Sequence, residues 1–278
     1  MQLKQINSLL TLLCQYNTGS ILNSNHFEDG LVSVVIPTFN SEDFIYDAIQ
    51  SVLNQDYKNI EILVSDDCST DNTLDILEDL YLRESKIKII RSSSNNGAAV
   101  ARNKALEISN GQFIAFIDSD DLWKKNKLST QINFMKDKNI AFSFTCFRRI
   151  NKSGKYFGKV LDMKCPDKVS YEDMLAKKAT LGCSTVVIDQ SIVGRIAMPL
   201  LRRTQDYALW LSILKRDIKA FPVKKHLVDI RFVPGSLSSN KFLKSKRQWD
   251  IYRNYEKLSI IESFWYFINY AFRAIFRP

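Results

Sequence analysis

The chain has 278 residues, 45% of them hydrophobic and 25% charged, enough to bury a sizeable core and too apolar for wholesale disorder. Its formal charge of +9 suggests an anionic partner, which nucleic acid, anionic lipid or a phosphorylated substrate would each satisfy. Five scattered cysteines without a CxxC pair exclude a disulfide framework and a zinc-finger site, and point to a reducing cytoplasm.

Residues 1–16 hold an apolar stretch too short to span a bilayer and read as an amphipathic lead-in; 17–30, rich in Asn, Ser and Gly, reads as a linker. Then come four apolar, β-branched runs at 32–36, 60–64, 87–90 and 113–117, separated by gaps long enough for crossover helices. Ser41 is placed to cap a helix ending at Leu53 and Asp71 one ending at Leu82, and Gly97 precedes "AAVARNKALEIS". Strands apolar throughout, alternating with helices, predict a mostly parallel sheet covered on both faces.

Such sheets bind ligands beyond the carboxyl ends of their strands. Those ends read "PTFN" (37–40), "SDDCSTD" (65–71), "SSSNNG" (92–97) and "DSDD" (118–121). All are polar and two are strongly acidic, so the four together predict a ligand site. No GxGxxG or GxxxxGK[ST] is present, and Gly97 is the only glycine between residues 31 and 110, which disfavours dehydrogenases and P-loop nucleotidases. Without a glycine-rich cradle, a bound diphosphate needs another counter-charge. The carboxylates of Asp118 and Asp120 offer hard oxygen ligands suited to Mg²⁺ or Mn²⁺. A haloacid-dehalogenase-type phosphotransferase also carries Asp-x-Asp after a strand. Here Asp121 and Leu122 follow the pair, on the fourth strand rather than the first, against that chemistry.

The stretches "VSVVIPTFNSEDFIYDAIQSVLNQDYKNIEILVSDDCSTDNT", "NNGAAVARNKAL" and "GQFIAFIDSDDLW" resemble, in order, the signatures of glycosyltransferase family 2. "RRTQDYALWLSILKR" (202–216) resembles the family's acidic motif ahead of an amphipathic helix. "VPGSLSSNK" (233–241) resembles a tail segment of bacterial cell-surface polysaccharide transferases.

The resemblance implies a GT-A fold, Rossmann-like, with a C-terminal helical tail. It implies an inverting, metal-assisted hexosyltransferase taking a nucleotide-diphosphate sugar, expected to be UDP-linked, as donor. The acceptor would be a lipid-linked or oligosaccharide hydroxyl in surface polysaccharide synthesis. By the same resemblance Pro37, Phe39 and Asn40 line the nucleotide pocket, and Asp67, with Asp66, bonds base or ribose. Arg102 lies near base or diphosphate, Asp118 and Asp120 form the metal-binding DxD pair, and Asp206 is the general base. The family often has Gly where this chain has Cys68, a change tolerated unless that residue needs positive φ. Gln205 replaces a frequent Glu, leaving Asp206 the sole acid of its motif. A scaffold that keeps the fold and has lost catalysis is the alternative, opposed by the intact DxD pair and Asp206.

The remaining features have structural readings as well. Asp71 suits a cap, Asp121 a turn, Trp123 the core, and His226 a surface turn. Ser184, opening a predicted strand at 182–189, could face the acceptor, and Leu209, Trp210, Ile213 and Leu214 should pack inward. Residues 241–278 carry eight basic and three acidic residues and 11 of the 32 aromatics. Their longest uncharged stretch in 258–276 is ten residues, too short to span a bilayer but suited to its interface. The expected layout is an N-terminal extension (1–30), a nucleotide-sugar half (31–130), an acceptor half of the same domain (131–240) and an amphipathic tail (241–278). The partners expected are donor, lipid-linked acceptor and membrane, with no nucleic acid; the expected location is the inner face of the cell membrane.

Overall fold

A computed structural model describes residues 27–232 and 241–276. The lead-in, most of the linker and the "VPGSLSSNK" motif up to Asn240 lie outside the described residues. The four apolar runs form strands β1 (Glu28–Thr38), β2 (Ile60–Asp66), β3 (Ile87–Arg91) and β4 (Gly111–Phe116). Between them run helices α1 (Ile45–Leu53), α2 (Thr73–Arg83) and α3 (Ala98–Glu107). β1 starts inside the predicted linker, because the Glu28 amide already donates to the Asn110 carbonyl at 2.8 Å.

The other elements are β5 (Leu122–Trp123), α4 (Lys127–Lys138), β6 (Phe142–Ile150), β7 (Tyr156–Leu161), α5 (Tyr171–Leu175) and β8 (Val186–Asp189). They continue with α6 (Gln190–Val193), α7 (Gln205–Leu214) and β9 (Phe221–Arg231), then α8 (Lys241–Asp250), a π turn at Ile251–Tyr255, and α9 (Ile260–Phe276). The nine strands make one sheet in the order β3-β2-β1-β4-β8-β6-β9-β5, with β7 on β6. Pairings among β1 to β4 are parallel, whereas β8 runs antiparallel between β4 and β6.

Why the strands are apolar without alternation is visible in the core. Val35, Leu63, Ile114 and Phe116 point to one face, under α3 and α7. Val34, Ile36, Ile62, Val64, Phe113 and Ala115 point to the other, under α1, α2 and α4. Both faces are covered over most of their length, so most positions bury apolar area, with Ser33 and Glu61 paired by a 2.6 Å hydrogen bond as an exception. Trp210 of α7 is fully buried, with its ring 5.8 Å from Phe116 and 5.4 Å from Phe142. Leu209, Ile213 and Leu214 are buried beside it, as their spacing predicts.

Two predicted caps shift. α1 opens at Ile45, not after Ser41: the Ser41 carbonyl accepts the Phe44 and Ile45 amides, while its hydroxyl lies 2.8 Å from Ser119 Oγ. The chain turns through Asn40 at φ 47° before the helix can start. Asp71 caps from two residues before α2, its carboxylate accepting the Thr73 and Glu42 amides at 3.0 and 3.1 Å. Glu42 reciprocates by accepting from the Asn72 amide at 3.0 Å, which latches two neighbouring strand-end loops together.

Candidate active site

The chain places β2 and β3 on one side of β1 and then crosses back to lay β4 on the other. The crevice at such a switch point is where doubly wound sheets take their ligands. In register, Val35 pairs with Phe116 and Thr38 with Asp66. The loops after β1, β2 and β4 therefore meet at one end of the sheet. They enclose a cavity of about 270 Å³, with Pro37, Phe39, Asp67, Arg102, Asp118 and Asp120 in its lining.

Each predicted residue can now be placed. Pro37 is buried in the floor, and Phe39 is 45% exposed at the mouth. Asn40 is not in the lining: its Oδ1 accepts the Thr70 amide at 2.8 Å and its own amide donates to Ser69 Oγ. Asp66, fully buried, is held in its own turn, accepting the Ser69 amide at 3.0 Å and hydroxyl at 2.5 Å. Asp67 does line the cavity, while its oxygens also accept the Asn96 amide and, at 2.6 Å, that of Gly97. Gly97 adopts φ 91° at the start of α3, a conformation that only glycine takes without strain.

Arg102 projects from α3, only 5% exposed, and donates to Asp118 Oδ1 at 2.5 Å. Among the described residues its Nε and Nη1 have no hydrogen-bond partner. Burial alone would lower its pKa; the acidic groups facing it, Cys183, Asp118 and Asp206, raise it instead, so the cation is secure. Asp118 is itself half-exposed to the cavity. Burial and the adjacent Asp118 carboxylate push Asp120 up to about 6. The acidic loop is thus short of positive charge.

Asp121 takes no part in the cavity. Its buried carboxyl accepts the Ser184 hydroxyl at 2.5 Å and the Arg231 amide at 2.8 Å, rather than amides of its own turn. Ser184 is fully buried and also accepts the Asp118 amide at 3.0 Å, so it braces the acidic loop from below and does not face an acceptor. Its carbonyl accepts the Trp123 indole N–H at 2.9 Å, which fixes Trp123 in the core. His226 bonds Asp229 at 2.6 Å, beside Lys124 and Tyr156, away from the cavity lining.

Asp206 stands in the first turn of α7, half-buried, after Thr204 at φ 59°. Burial raises its pKa, and Asp118 adds to this. The Arg102 guanidinium, the Tyr207 amide and Lys177 pull it down without cancelling the rise. A carboxylate in that state holds a proton more readily than an ordinary one.

Three further residues shape the site, two of which escape the sequence patterns. Arg231, ending β9, donates from Nε to the Asp120 carbonyl at 2.9 Å and stacks 4.6 Å over the Phe44 ring, pinning the loop from the far edge. Lys177 sits at φ 54° over the Tyr207 ring, and burial holds its ammonium down to about 8 against the fields of Asp206 and Asp162. Cys68 has φ 68°, so the position where the family often has glycine does use the left-handed region. No motif marks the first two; the third was flagged by the glycine replaced.

A switch-point crevice of this construction, lined by an Asp-x-Asp pair and lacking a glycine-rich phosphate loop, defines a glycosyltransferase of GT-A type. The chain belongs to glycosyl transferase family 2, whose sequence model matches residues 33–194. TuaG of Bacillus subtilis (strain 168), a glycosyltransferase assigned to teichuronic acid biosynthesis, is 42% identical over 245 residues, covering 88% of this chain and 96% of its own. WfgD of Escherichia coli, named a UDP-Glc:alpha-D-GlcNAc-diphosphoundecaprenol beta-1,3-glucosyltransferase, is 40% identical over 244 residues, 87% of this chain and 93% of its own. The crystal structure of S. aureus TarS 1-349 in complex with UDP-GlcNAc superposes with a TM-score of 0.66 at 23% identity, covering 80% of this chain and 64% of that one, which shows the shared fold.

Proposed function

We propose that the protein transfers a hexose, with inversion, from a UDP-sugar to a hydroxyl of a saccharide carried on a polyprenyl diphosphate, in the synthesis of a surface polysaccharide. The observation that carries this reading is the convergence of Asp118, Asp120 and Arg102 in one cavity, with Asp206 outside its lining but in the electrostatic reach of Arg102 and Asp118. The choice of UDP and of a diphospholipid acceptor follows the relative WfgD. In this reading residues 31–130 hold the donor, 131–240 present the acceptor, and 241–278 attach the chain to the cytoplasmic face of the membrane.

The donor's diphosphate lies against Arg102, whose unpartnered Nε and Nη1 are buried donors suited to phosphate oxygens. Asp118 and Asp120 fit a divalent cation: both offer hard oxygens, and the rise that burial and Asp118 impose on Asp120 is one that a cation would relieve. Among the described residues no group of three or more His, Cys, Asp or Glu side chains could hold an ion. The two carboxylates would thus share it with the donor's phosphates. When bound, such a cation acts as a Lewis acid, offsetting the negative charge that grows on a departing nucleoside diphosphate. Asp206 accepts the proton of the acceptor hydroxyl as its oxygen bonds the anomeric carbon and the carbon–diphosphate bond breaks on the opposite face.

No helix among the described residues is long and apolar enough to cross a membrane. α9 instead exposes Ile261 (79%), Trp265 (65%), Phe264, Ile268 and Phe272 on one stripe, within a tail, 241–278, whose eight Lys and Arg lie mostly outside α9. That combination suits an anionic lipid surface. The test is UDP release with a panel of UDP-hexoses, Mn²⁺ or Mg²⁺, and a GlcNAc-diphospholipid acceptor, with the product's anomeric configuration read by NMR. Absence of transfer across the panel, or retained configuration, refutes the reading.

A further inference from the structure

A second cavity, of about 260 Å³, opens beside the start of α7 and shares no lining residue with the first. Arg202, Arg203 and Thr204 form one wall; Arg247 and Asp250 of α8 and Tyr255 of the π turn form the other. Three guanidinium groups therefore face one carboxylate. Among the described residues neither Arg202 nor Arg203 makes an ion pair. Burial, and then the like charge of Arg203, hold the Arg247 guanidinium below its ordinary range. Cations gathered this way make the cavity electropositive and attract an anion.

Two further facts say which anion. Thr204, in its wall, stands two residues before Asp206 in the chain, so the cavity opens at the start of the helix that carries the group that would take the acceptor's proton. The wall carrying Arg247 also continues into the helix with the exposed apolar stripe. Trp249 of α8 packs edge-on against Phe264 and Phe267 of α9 at 5.7 and 5.5 Å, and Tyr252 meets Tyr266 at 6.2 Å. An acceptor with a sugar, a charged linkage and an apolar tail thus has a chemical match for each part in Asp206, the arginines and α9.

We propose that the cavity formed by Arg202, Arg203 and Arg247 binds the diphosphate of the acceptor, and so sets which hydroxyl reaches Asp206. The guanidinium fork matches phosphate oxygens in pairs, which a lysine cluster would not. This assignment rests on the proposed acceptor class, and its test separates the two.

The full chain is assayed with two acceptors bearing the same sugar, one on a lipid diphosphate and one on a neutral alkyl chain. The ratio of kcat/KM for diphosphate over neutral acceptor should fall about 10- to 100-fold in Arg203→Gln and in Arg247→Gln, with partial recovery in Arg203→Lys. Inorganic pyrophosphate should compete with the diphosphate acceptor in the wild type at saturating UDP-sugar, and lose that competition in the variants. By calorimetry with saturating UDP filling the donor cavity, pyrophosphate should bind the wild type and not the double variant. A ratio unchanged in both variants overturns the proposal, even while transfer itself stands. So does a diphosphate acceptor that pyrophosphate cannot displace, since recognition would then lie in the lipid tail. Absence of transfer to either acceptor by the wild type instead refutes the acceptor class.

Discussion

Replacing Asp206 by Asn tests the base and its environment together. The substitution keeps shape and removes the charge, so it deletes proton acceptance while leaving α7 in place. Loss of a positioned general base costs about a hundred- to ten-thousandfold in turnover, and UDP binding at Arg102 and Asp67 should persist. The same change has a stability consequence of opposite sign. Asp206 has its pKa raised by burial and by Asp118, against Arg102, the Tyr207 amide and Lys177, with the buried Cys183 thiol nearby. A carboxyl raised in the folded state contributes stability that is fully present below the ordinary carboxylate range. That stability is lost as pH rises through the folded value. At pH 7.5 the ionised group therefore weakens the fold, and Asp206→Asn should melt higher than the wild type, the gap closing toward pH 4. Turnover is followed by UDP release, binding by calorimetry and melting by scanning calorimetry. Normal turnover refutes the base; a variant that melts lower at pH 7.5 than at pH 4, relative to wild type, refutes the electrostatic account.

Asp120→Ala should abolish stimulation of turnover by Mn²⁺ or Mg²⁺, and full metal-dependent activity in that variant would remove Asp120 from the ligand set. Cys68→Gly relieves a left-handed residue costing about 1–2 kcal/mol against about 0.5–1 kcal/mol of added chain entropy; a net gain of about 0.5 kcal/mol should appear as a higher denaturation midpoint in urea, and a lower one shows that the Cys68 side chain earns its place by packing. Ser184→Ala leaves the Asp118 amide and the Asp121 carboxyl without their shared partner and should cost about 1–3 kcal/mol in the same experiment, with weaker UDP binding as the acidic loop loosens; unchanged affinity would mean that Arg231 alone suffices to hold it.

Much of the fold over residues 31–130 was legible in the sequence, since its determinants are local. Unbroken apolar strands imply two covered faces, and a polar residue after such a strand has nowhere to go but the ligand end of the sheet. The strand ends that carry Pro37, Phe39, Asp67, Asp118 and Asp120 could therefore be put at that end of the sheet, while the roles expected of Pro37, Phe39 and Asp67 came from the family resemblance. Residues whose partners lie far along the chain were not legible. Ser184 meets Asp121 from 63 residues away and Arg231 meets the Asp120 carbonyl from 111, and no periodicity connects them. Asn40 and Asp66 fell in the right loops, yet their oxygens turn to backbone and hydroxyl groups of the β2–α2 turn. Which of several nearby acids faces the ligand depends on backbone direction within a tight turn, and composition does not record that. The cavity of Arg202, Arg203 and Arg247 is of the same kind: the arginine pair is visible in the sequence, while its third member comes from a helix some forty residues on. The sequence by itself determined the strands, their ligand end and the acids available there. Tertiary packing decided which of those acids are free to act, because long-range hydrogen bonds and burial assign each carboxylate its partner.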